Sequence, residues 1–254
     1  MPESNRNFKL SIIIPVYNEE STIAALLEKV LAVDIPKEII VVDDGSRDHT
    51  VEILKRKADE NSEVVQVHAN EVNVGKGAAI RRGLLHVKGD VVLIQDADLE
   101  LDPNEYHRIV EPLKSGEAHV VYGSRFKDVG YFRHYKNIPF ISRLVNWMLA
   151  TTVNIFWPNA HITDEATAYK AFRADLIKSM HLRCNRFEFC PEVTSKILNR
   201  GLKIHEVPIT YHPRTVNEGK KVNWTDGVYA FWTLFKYRFL QREEPTRHRN
   251  ENQI

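Results

Sequence analysis

The sequence predicts an α/β fold built on a mostly parallel, doubly wound sheet flanked by helices. Three observations predict it. Short runs of Val, Ile and Leu recur through the first half of the chain, as strands buried on both faces require. Segments with apolar residues at helical spacing separate these runs, the rhythm of a parallel sheet. Polar, acidic clusters follow three of the runs directly, and ligands of such sheets bind at the carboxyl ends of the strands.

Leu10 to Pro15 is the first strand run, followed by Ile23, Leu26, Leu27, Val30 and Leu31 at helical spacing. Ile39 to Val42 is a second β-branched run and ends in Asp43-Asp44-Gly45-Ser46. A charged helix starts near Thr50, and Val64 to Val67 reads as a third strand. Gly75-Lys76-Gly77 opens a helix through Val87. Val91 to Ile94 is a fourth strand running into Gln95-Asp96-Ala97-Asp98. A helix over Tyr106 to Leu113 and a short strand at Val120-Val121 complete the series. The second half is less regular. Ile138 to Trp157 is apolar but broken by Ser142, Arg143, Asn146 and Asn154, with Ile141, Leu144, Val145 and Met148 marking one helical face. Pro191 to Arg200 predicts a helix stopped by Gly201, Ile204 to Tyr211 a strand, and Gly227 to Leu240 an aromatic, amphipathic C-terminal helix. The tail after Gln241 is polar and predicted to be disordered.

Bulk properties narrow the class. The 254 residues carry 35 basic and 34 acidic side chains, net +1, which argues against a nucleic-acid partner. Two cysteines, Cys184 and Cys190, are too few for a disulfide framework and point to a reducing cytosol. No apolar run is long enough to cross a bilayer.

Three clusters can carry chemistry. Asp96 and Asp98 place two carboxylates at the end of a buried strand, where hard oxygen ligands suit Mg²⁺ or Mn²⁺ shared with substrate phosphates. An acidic loop capping the next helix would look the same. Asp43-Asp44 offers carboxylates for a nucleobase edge or a ribose hydroxyl, while Ser46, Asp48 and Thr50 also read as helix caps. In Pro15-Val16-Tyr17-Asn18-Glu19 the proline ends the strand, Tyr17 can contact a base and Glu19 can accept from it. Gly75-Lys76-Gly77 lacks phosphate-loop spacing and reads as a loop opening the next helix.

These segments, with Asn73-Val74-Gly75-Lys76-Gly77 and Gly123-Ser124-Arg125, occur in an order that resembles family 2 glycosyltransferases of the GT-A (Rossmann-like) fold. Among these, the chain resembles dolichol-phosphate mannose synthases and related polyprenyl-phosphate glycosyltransferases, over Leu10 to Tyr237. The resemblance implies a catalytic domain over 8–215, a loop and amphipathic helix over 216–241, and a tail over 242–254. It implies a nucleotide-sugar pocket of Pro15, Tyr17, Glu19, Val42, Asp44 and Lys76, and a metal-diphosphate site at Asp96, Ala97 and Asp98, with Glu100 as an added metal ligand. Arg125 would face the acceptor phosphate or the donor, and Asp164 and Glu165 would form an acidic site facing the sugar. Arg214 and Lys220 would close over the diphosphate, with Lys221 the alternative to Lys220.

The implied reaction is inverting transfer of a hexose from GDP-mannose or a UDP-sugar to polyprenyl or dolichyl phosphate. An alcohol acceptor needs a general base, for which Asp164 or Glu165 would serve. A phosphate acceptor is already anionic and needs only cations, such as Arg125 and Arg133. The competing readings are a soluble or glycan acceptor, and a silent nucleotide-sugar binding module. Both aromatic helices suit a membrane surface or a packed core. Many polyprenyl-phosphate enzymes add transmembrane helices, and this chain stops instead. That implies a cytoplasmic, peripheral enzyme or one with a membrane-protein partner.

Overall fold

A computed structural model describes residues 8–128, 140–213 and 224–241. The expected tail over 242–254, and most of the loop expected from residue 216, lie outside these residues.

The strands are β1 (Leu10–Val16), β2 (Lys37–Asp43), β3 (Val65–Ala69), β4 (Val91–Ile94), β5 (Val120–Ser124), β6 (Lys170–Arg173) and β7 (His205–Pro208). They form one seven-stranded sheet in the order β3-β2-β1-β4-β6-β5-β7. β1 is parallel to β2 and β4, β2 to β3, and β5 to β7; β6 runs antiparallel between β4 and β5. The helices are α1 (Ile23–Ala32), α2 (Thr50–Glu60), α3 (Lys76–Leu84), α4 (Tyr106–Lys114), α5 (Phe140–Phe156), α6 (Ala174–Lys178), α7 (Phe189–Asn199) and α8 (Trp224–Phe235). α8 continues as a π-helical turn, Lys236–Leu240.

Strand period two divides the core between the faces of the sheet. Ile12, Ile14, Ile39 and Val41 face the helices α1, α2 and α4, with Leu26, Leu54 and Ile109 among their neighbours. Ile13, Ile40 and Val42 face the other side, where α3, α5, α7 and α8 contribute Ile80, Leu149, Val193 and Leu234. Each fully buried Leu or Ile contributes roughly 1.5–3 kcal/mol.

The α/β class and its mostly parallel sheet stand as expected, and several details differ. β6 and α6 had no sequence signal, because β6 is four residues long and begins with a lysine, Lys170, that is fully buried. The strand expected over Ile204 to Tyr211 is only His205–Pro208, with Tyr211 making a single bridge to Leu101. The apolar face expected on α5 is not the buried one. Ile141 and Met148 are exposed, and α5 buries Asn146, Leu149, Ala150 and Val153. The helix packs chiefly against α8, and Ile141 and Met148 are left at the surface.

Chain order reverses between β1 and β4, so their carboxyl ends open a crevice. The register sharpens it. β4 pairs with β1 only as far as Ile13↔Ile94, while β1 continues along β2 to Val16. Pro15 therefore sits where no β4 carbonyl awaits its missing N–H, the place a central strand tolerates proline.

Candidate active site

The loop after β1 is braced against the loop after β2. Asn18, at φ 50°, donates its N–H to Ser46 Oγ (2.9 Å) and accepts from Arg47 N–H (2.8 Å). Glu19 N–H donates to Thr50 Oγ1 at 2.9 Å. Ser46 and Thr50, also readable as helix caps, thus tie two loops together; Asp48 does accept from Thr50 N–H within its own turn. Asp44, nearly fully buried, accepts from Asn70 Nδ2 (2.8 Å), Val74 N (3.0 Å) and Gly75 N (2.7 Å), fixing the approach to α3.

That approach demands glycine. Gly75 lies at φ 115°, and a Cβ there would stand 2.5 Å from Asn185 O; at Gly77 it would stand 2.5 Å from Cys184 O. The segment around residue 185 therefore lies directly on the start of α3. Glu192 of α7 holds that segment by accepting from Arg183 and Cys184 N–H and from Tyr237 OH.

Lys76, at the first position of α3, reaches Asp96 Oδ1 at 2.5 Å. Burial pulls this ammonium down, but Asp96 outweighs it and holds the pKa above the ordinary value. The Asp96 backbone is itself anchored. Gln95, fully buried, donates to Asp96 O (2.9 Å) and accepts from both Tyr106 OH and Tyr169 OH at 2.7 Å. Asp98 Oδ1 accepts from Glu100 N–H across Leu99, which is at φ 61°. Glu100 in turn accepts from Tyr211 OH at 2.8 Å, and its carbonyl accepts from His212 N–H.

Arg125 follows β5 and is clamped by Asp164. Nε and Nη2 donate to the two carboxylate oxygens at 2.7 and 2.8 Å, and the Arg125 N–H adds a third bond at 3.0 Å. Its guanidinium also lies 5.0 Å over the Tyr211 ring. Burial works against the charge, and Asp164 more than restores it, so Arg125 stays cationic. Asp164 is held by Glu206 of β7, which accepts from the backbone N–H groups of Thr163 and Asp164.

These residues line a cavity of about 740 Å³, within the range of small-molecule sites. Pro15, Tyr17, Glu19, Asp44, Lys76, Asp96, Ala97, Asp98, Glu100 and Arg125 all border it. Two residues expected at the site do not border this cavity. Val42 is fully buried in the core and does not border the cavity; it sets the strand from which Asp44 projects. Asp164 is fully buried and does not border the cavity either, and both its oxygens accept from Arg125. Arg133, Arg214, Lys220 and Lys221 lie outside the described residues.

The fit to a divalent ion is partial. Among the described residues, no three His, Cys, Asp or Glu side chains converge to hold one. Glu100, expected as a third ligand, is hydrogen-bonded to Tyr211. Asp96 and Asp98 remain two hard oxygen donors on one rim, suited to an ion whose other ligands come from a diphosphate.

Sequence reasoning missed the wall opposite β4. Arg186, Phe187, Cys190, Asn146 and Thr167 border the cavity. The polar interruptions of α5 were the available signal. Asn154 clamps Ile162 through both its amide atoms, and Asn146 Oδ1 accepts from Ala166 N–H, so the two hold the segment carrying Asp164 and Glu165. Both thiols are free, and burial pushes them up, Cys184 to about 12, so they are neutral.

Burial also pushes the Glu165 carboxyl up to about 7, against the nearby Lys170 and a hydrogen bond with Thr194. The folded chain keeps this proton to near pH 7, whereas an unfolded glutamate releases it near its ordinary 4.5. Stability from this group is thus complete below about pH 4.5 and is lost as pH rises through 7, at a slope approaching ~1.4 kcal/mol per unit. Glu165→Gln is expected to match the wild type in urea midpoint at pH 5 and to exceed it at pH 8.

The family model described as glycosyl transferase family 2 matches residues 11–180. The undecaprenyl-phosphate 4-deoxy-4-formamido-L-arabinose transferase of Edwardsiella ictaluri is 33% identical over 217 residues, 83% of this chain and 62% of that protein. The chain thus spans about three fifths of that relative's length. An uncharacterized protein of Methanocaldococcus jannaschii is 30% identical over 235 residues, 90% of each chain. Among solved structures, the glucosyl-3-phosphoglycerate synthase of Mycobacterium tuberculosis, in complex with Mn²⁺, UDP and glucosyl-3-phosphoglycerate, superposes with a TM-score of 0.66 at 21% identity, covering 91% of this chain and 80% of that one. That likeness speaks for the GT-A fold, and the family match, reaching from β1 past β6, establishes that the chain belongs to the family 2 glycosyl transferases.

Proposed function

We propose that the protein transfers a sugar from a nucleotide sugar to a polyprenyl phosphate at a membrane surface, with inversion at the anomeric carbon. One observation carries this. A single cavity is bordered on one side by Tyr17, Asp96 and Asp98, and on the other by Arg125 and the two helices α5 and α8. Those helices expose Ile141, Trp147 and Ile155, and Val228, Tyr229, Trp232, Phe235 and Phe239. The proposed donor site thus lies beside an apolar, aromatic surface with Lys236 and Arg238 on the same segment, the composition of an interfacial helix. The likeness to the Edwardsiella undecaprenyl-phosphate 4-deoxy-4-formamido-L-arabinose transferase supports the same acceptor class. Among the described residues, no helix is long and apolar enough to cross a membrane.

In this reading Pro15, Tyr17, Glu19 and Asp44 frame the nucleoside. Asp96 and Asp98 would hold a divalent cation, Mg²⁺ or Mn²⁺, which supplies charge neutralisation of the diphosphate leaving group. Lys76 stands beside the same carboxylates and adds a second positive charge to that corner. Arg125 keeps Nη1 for an anion, since Nε and Nη2 are spent on Asp164. An acceptor phosphate needs positioning rather than deprotonation, so a clamped guanidinium suits it better than a general base would.

The test is a donor-by-acceptor screen. GDP-mannose, UDP-glucose and UDP-N-acetylglucosamine are offered with polyprenyl phosphate or with a soluble alcohol acceptor, with and without Mn²⁺, and products are weighed by mass spectrometry. A metal-dependent glycosyl-phospholipid is the expected product; transfer to the alcohol alone would overturn the proposal. The surface is tested separately. The chain is expected to co-float with anionic liposomes, and Trp232→Asp with Phe239→Asp to weaken flotation at least tenfold without changing soluble nucleotide binding.

A further inference from the structure

We propose that Asn146, Glu165 and Thr167 form a subsite that grips the hydroxyls of the transferred sugar and selects a neutral sugar over an acidic one. The inference rests on the nucleotide-sugar reading above and goes beyond it, to the class of sugar.

Three orphaned polar atoms carry it. Asn146 Nδ2, Glu165 Oε1 and Thr167 Oγ1 are buried and have no hydrogen-bond partner. Their residues are 4%, 1% and 1% exposed, and all three border the cavity. Buried polar groups are nearly always satisfied, so three orphans on one cavity wall point to a missing ligand. The identity of each atom is fixed by its surroundings. Asn146 Oδ1 accepts from Ala166 N–H at 3.0 Å, so the other terminal atom is the NH₂ donor. The cation nearest Glu165 is committed elsewhere: Lys170 Nζ donates to Glu165 O at 2.8 Å and lies 3.7 Å over the Tyr122 ring. An amide donor, a carboxyl acceptor and a hydroxyl that does both match vicinal sugar hydroxyls, or a hydroxyl next to an amide.

The place is right for a sugar. Glu165, Cys190, Lys76 and Asp96 border one cavity, and the Cys190 thiol feels the charges of Glu165, Lys76 and Asp96, so the orphans share that space with the diphosphate corner. The charge is wrong for an acidic sugar. Asp96, Asp98, Glu100 and Glu165 border the same space, and burial already holds the Glu165 carboxyl near neutrality. Of the cations bordering that space, Lys76 is paired with Asp96 and Arg125 with Asp164, and Arg186 is exposed, so a uronic carboxylate held against Glu165 meets desolvation and repulsion.

Calorimetric titration of the full chain with Mn²⁺ and UDP, UDP-glucose or UDP-glucuronic acid tests the subsite, with GDP and GDP-mannose run alongside. The wild type is expected to bind UDP-glucose at least tenfold tighter than UDP-glucuronic acid. Thr167→Val should weaken the nucleotide sugars three- to tenfold and leave the bare nucleotides within twofold, while Thr167→Ser, which keeps the hydroxyl, retains affinity. Glu165→Gln should narrow the gap between glucose and glucuronic acid to within threefold. Equal wild-type affinity for the two sugars overturns the inference, as does a folded Thr167→Val that binds UDP-glucose and GDP-mannose unchanged. A wild type that binds neither UDP nor GDP overturns the nucleotide-sugar reading, and the subsite with it.

Discussion

Replacing Asp98 with alanine is expected to abolish metal-dependent donor turnover, by at least ~10³-fold, while the chain stays folded. Asp98 lies on the cavity rim beside Asp96, and its partner Asp96 is already shared with Lys76. Without Asp98, a divalent ion would keep one protein carboxylate, itself in competition with an ammonium 2.5 Å away. Charge on the departing diphosphate would then go largely unanswered, and loss of one preorganised electrostatic partner alone costs about 10²–10³ in rate. Asp98 also accepts the Glu100 N–H, so alanine removes a turn hydrogen bond as well as a charge. Asp98→Asn separates the two, because the amide oxygen can still accept. Product formation across a Mn²⁺ titration, with a thermal melt of each variant, is the measurement. Wild-type turnover in either variant would show that the ion, if used, is held elsewhere.

Asp164→Ala is expected to cost stability rather than rate alone, about 3–5 kcal/mol. The reason is what remains. Arg125 would keep its charge within a largely buried site, with its bidentate partner gone and the Tyr211 and Phe126 rings and the charge of Glu100 left to answer it. Removing one member of a buried ion pair costs that much because the other is stranded. Asp164→Asn should fall in between, since the amide oxygen can still accept from one guanidinium nitrogen. Urea denaturation read by circular dichroism gives the difference directly. A loss below ~1 kcal/mol would mean that water reaches Arg125 and that the clamp is not what fixes it. In the surviving folded fraction, the KM for the acceptor phosphate should rise more than the KM for the donor.

The first half of the fold was legible because both-face burial writes itself plainly: Leu10 to Pro15, Ile39 to Val42 and Val91 to Ile94 have no other sensible reading. The rim was legible for the same reason, since Asp44, Asp96 and Asp98 interrupt apolar runs at strand ends. The second half was not. Lys170 heads a strand yet is fully buried, its ammonium satisfied by the carbonyl of nearby Glu165 and by the ring of Tyr122 on another strand, which no local pattern announces. Asp164 read as a sugar-facing carboxylate and candidate general base, and its clamp on Arg125, 39 residues away in the chain, has no local signature. Asn146 looked like a blemish in an apolar helix, because its partners Ala166 and the cavity become visible only after folding.

The antiparallel strand β6 sets an order on how the molecule assembles. β3, β2, β1 and β4 are mutually paired and complete by Ile94, so half of the sheet can form as soon as that stretch of chain exists. β5 cannot join it. Its two neighbours are β6 and β7, both of which come later, at Lys170 and His205. Until Lys170 to Arg173 arrive, the Val91–Ile94 strand offers an unpaired, wholly apolar edge to other chains. A nascent polypeptide passes through that exposed state while some 75 further residues are added, at roughly 5–20 per second. Chains truncated between β5 and β6 should therefore associate through β4 rather than remain as monomers, and a chaperone's most useful moment of contact falls in that interval.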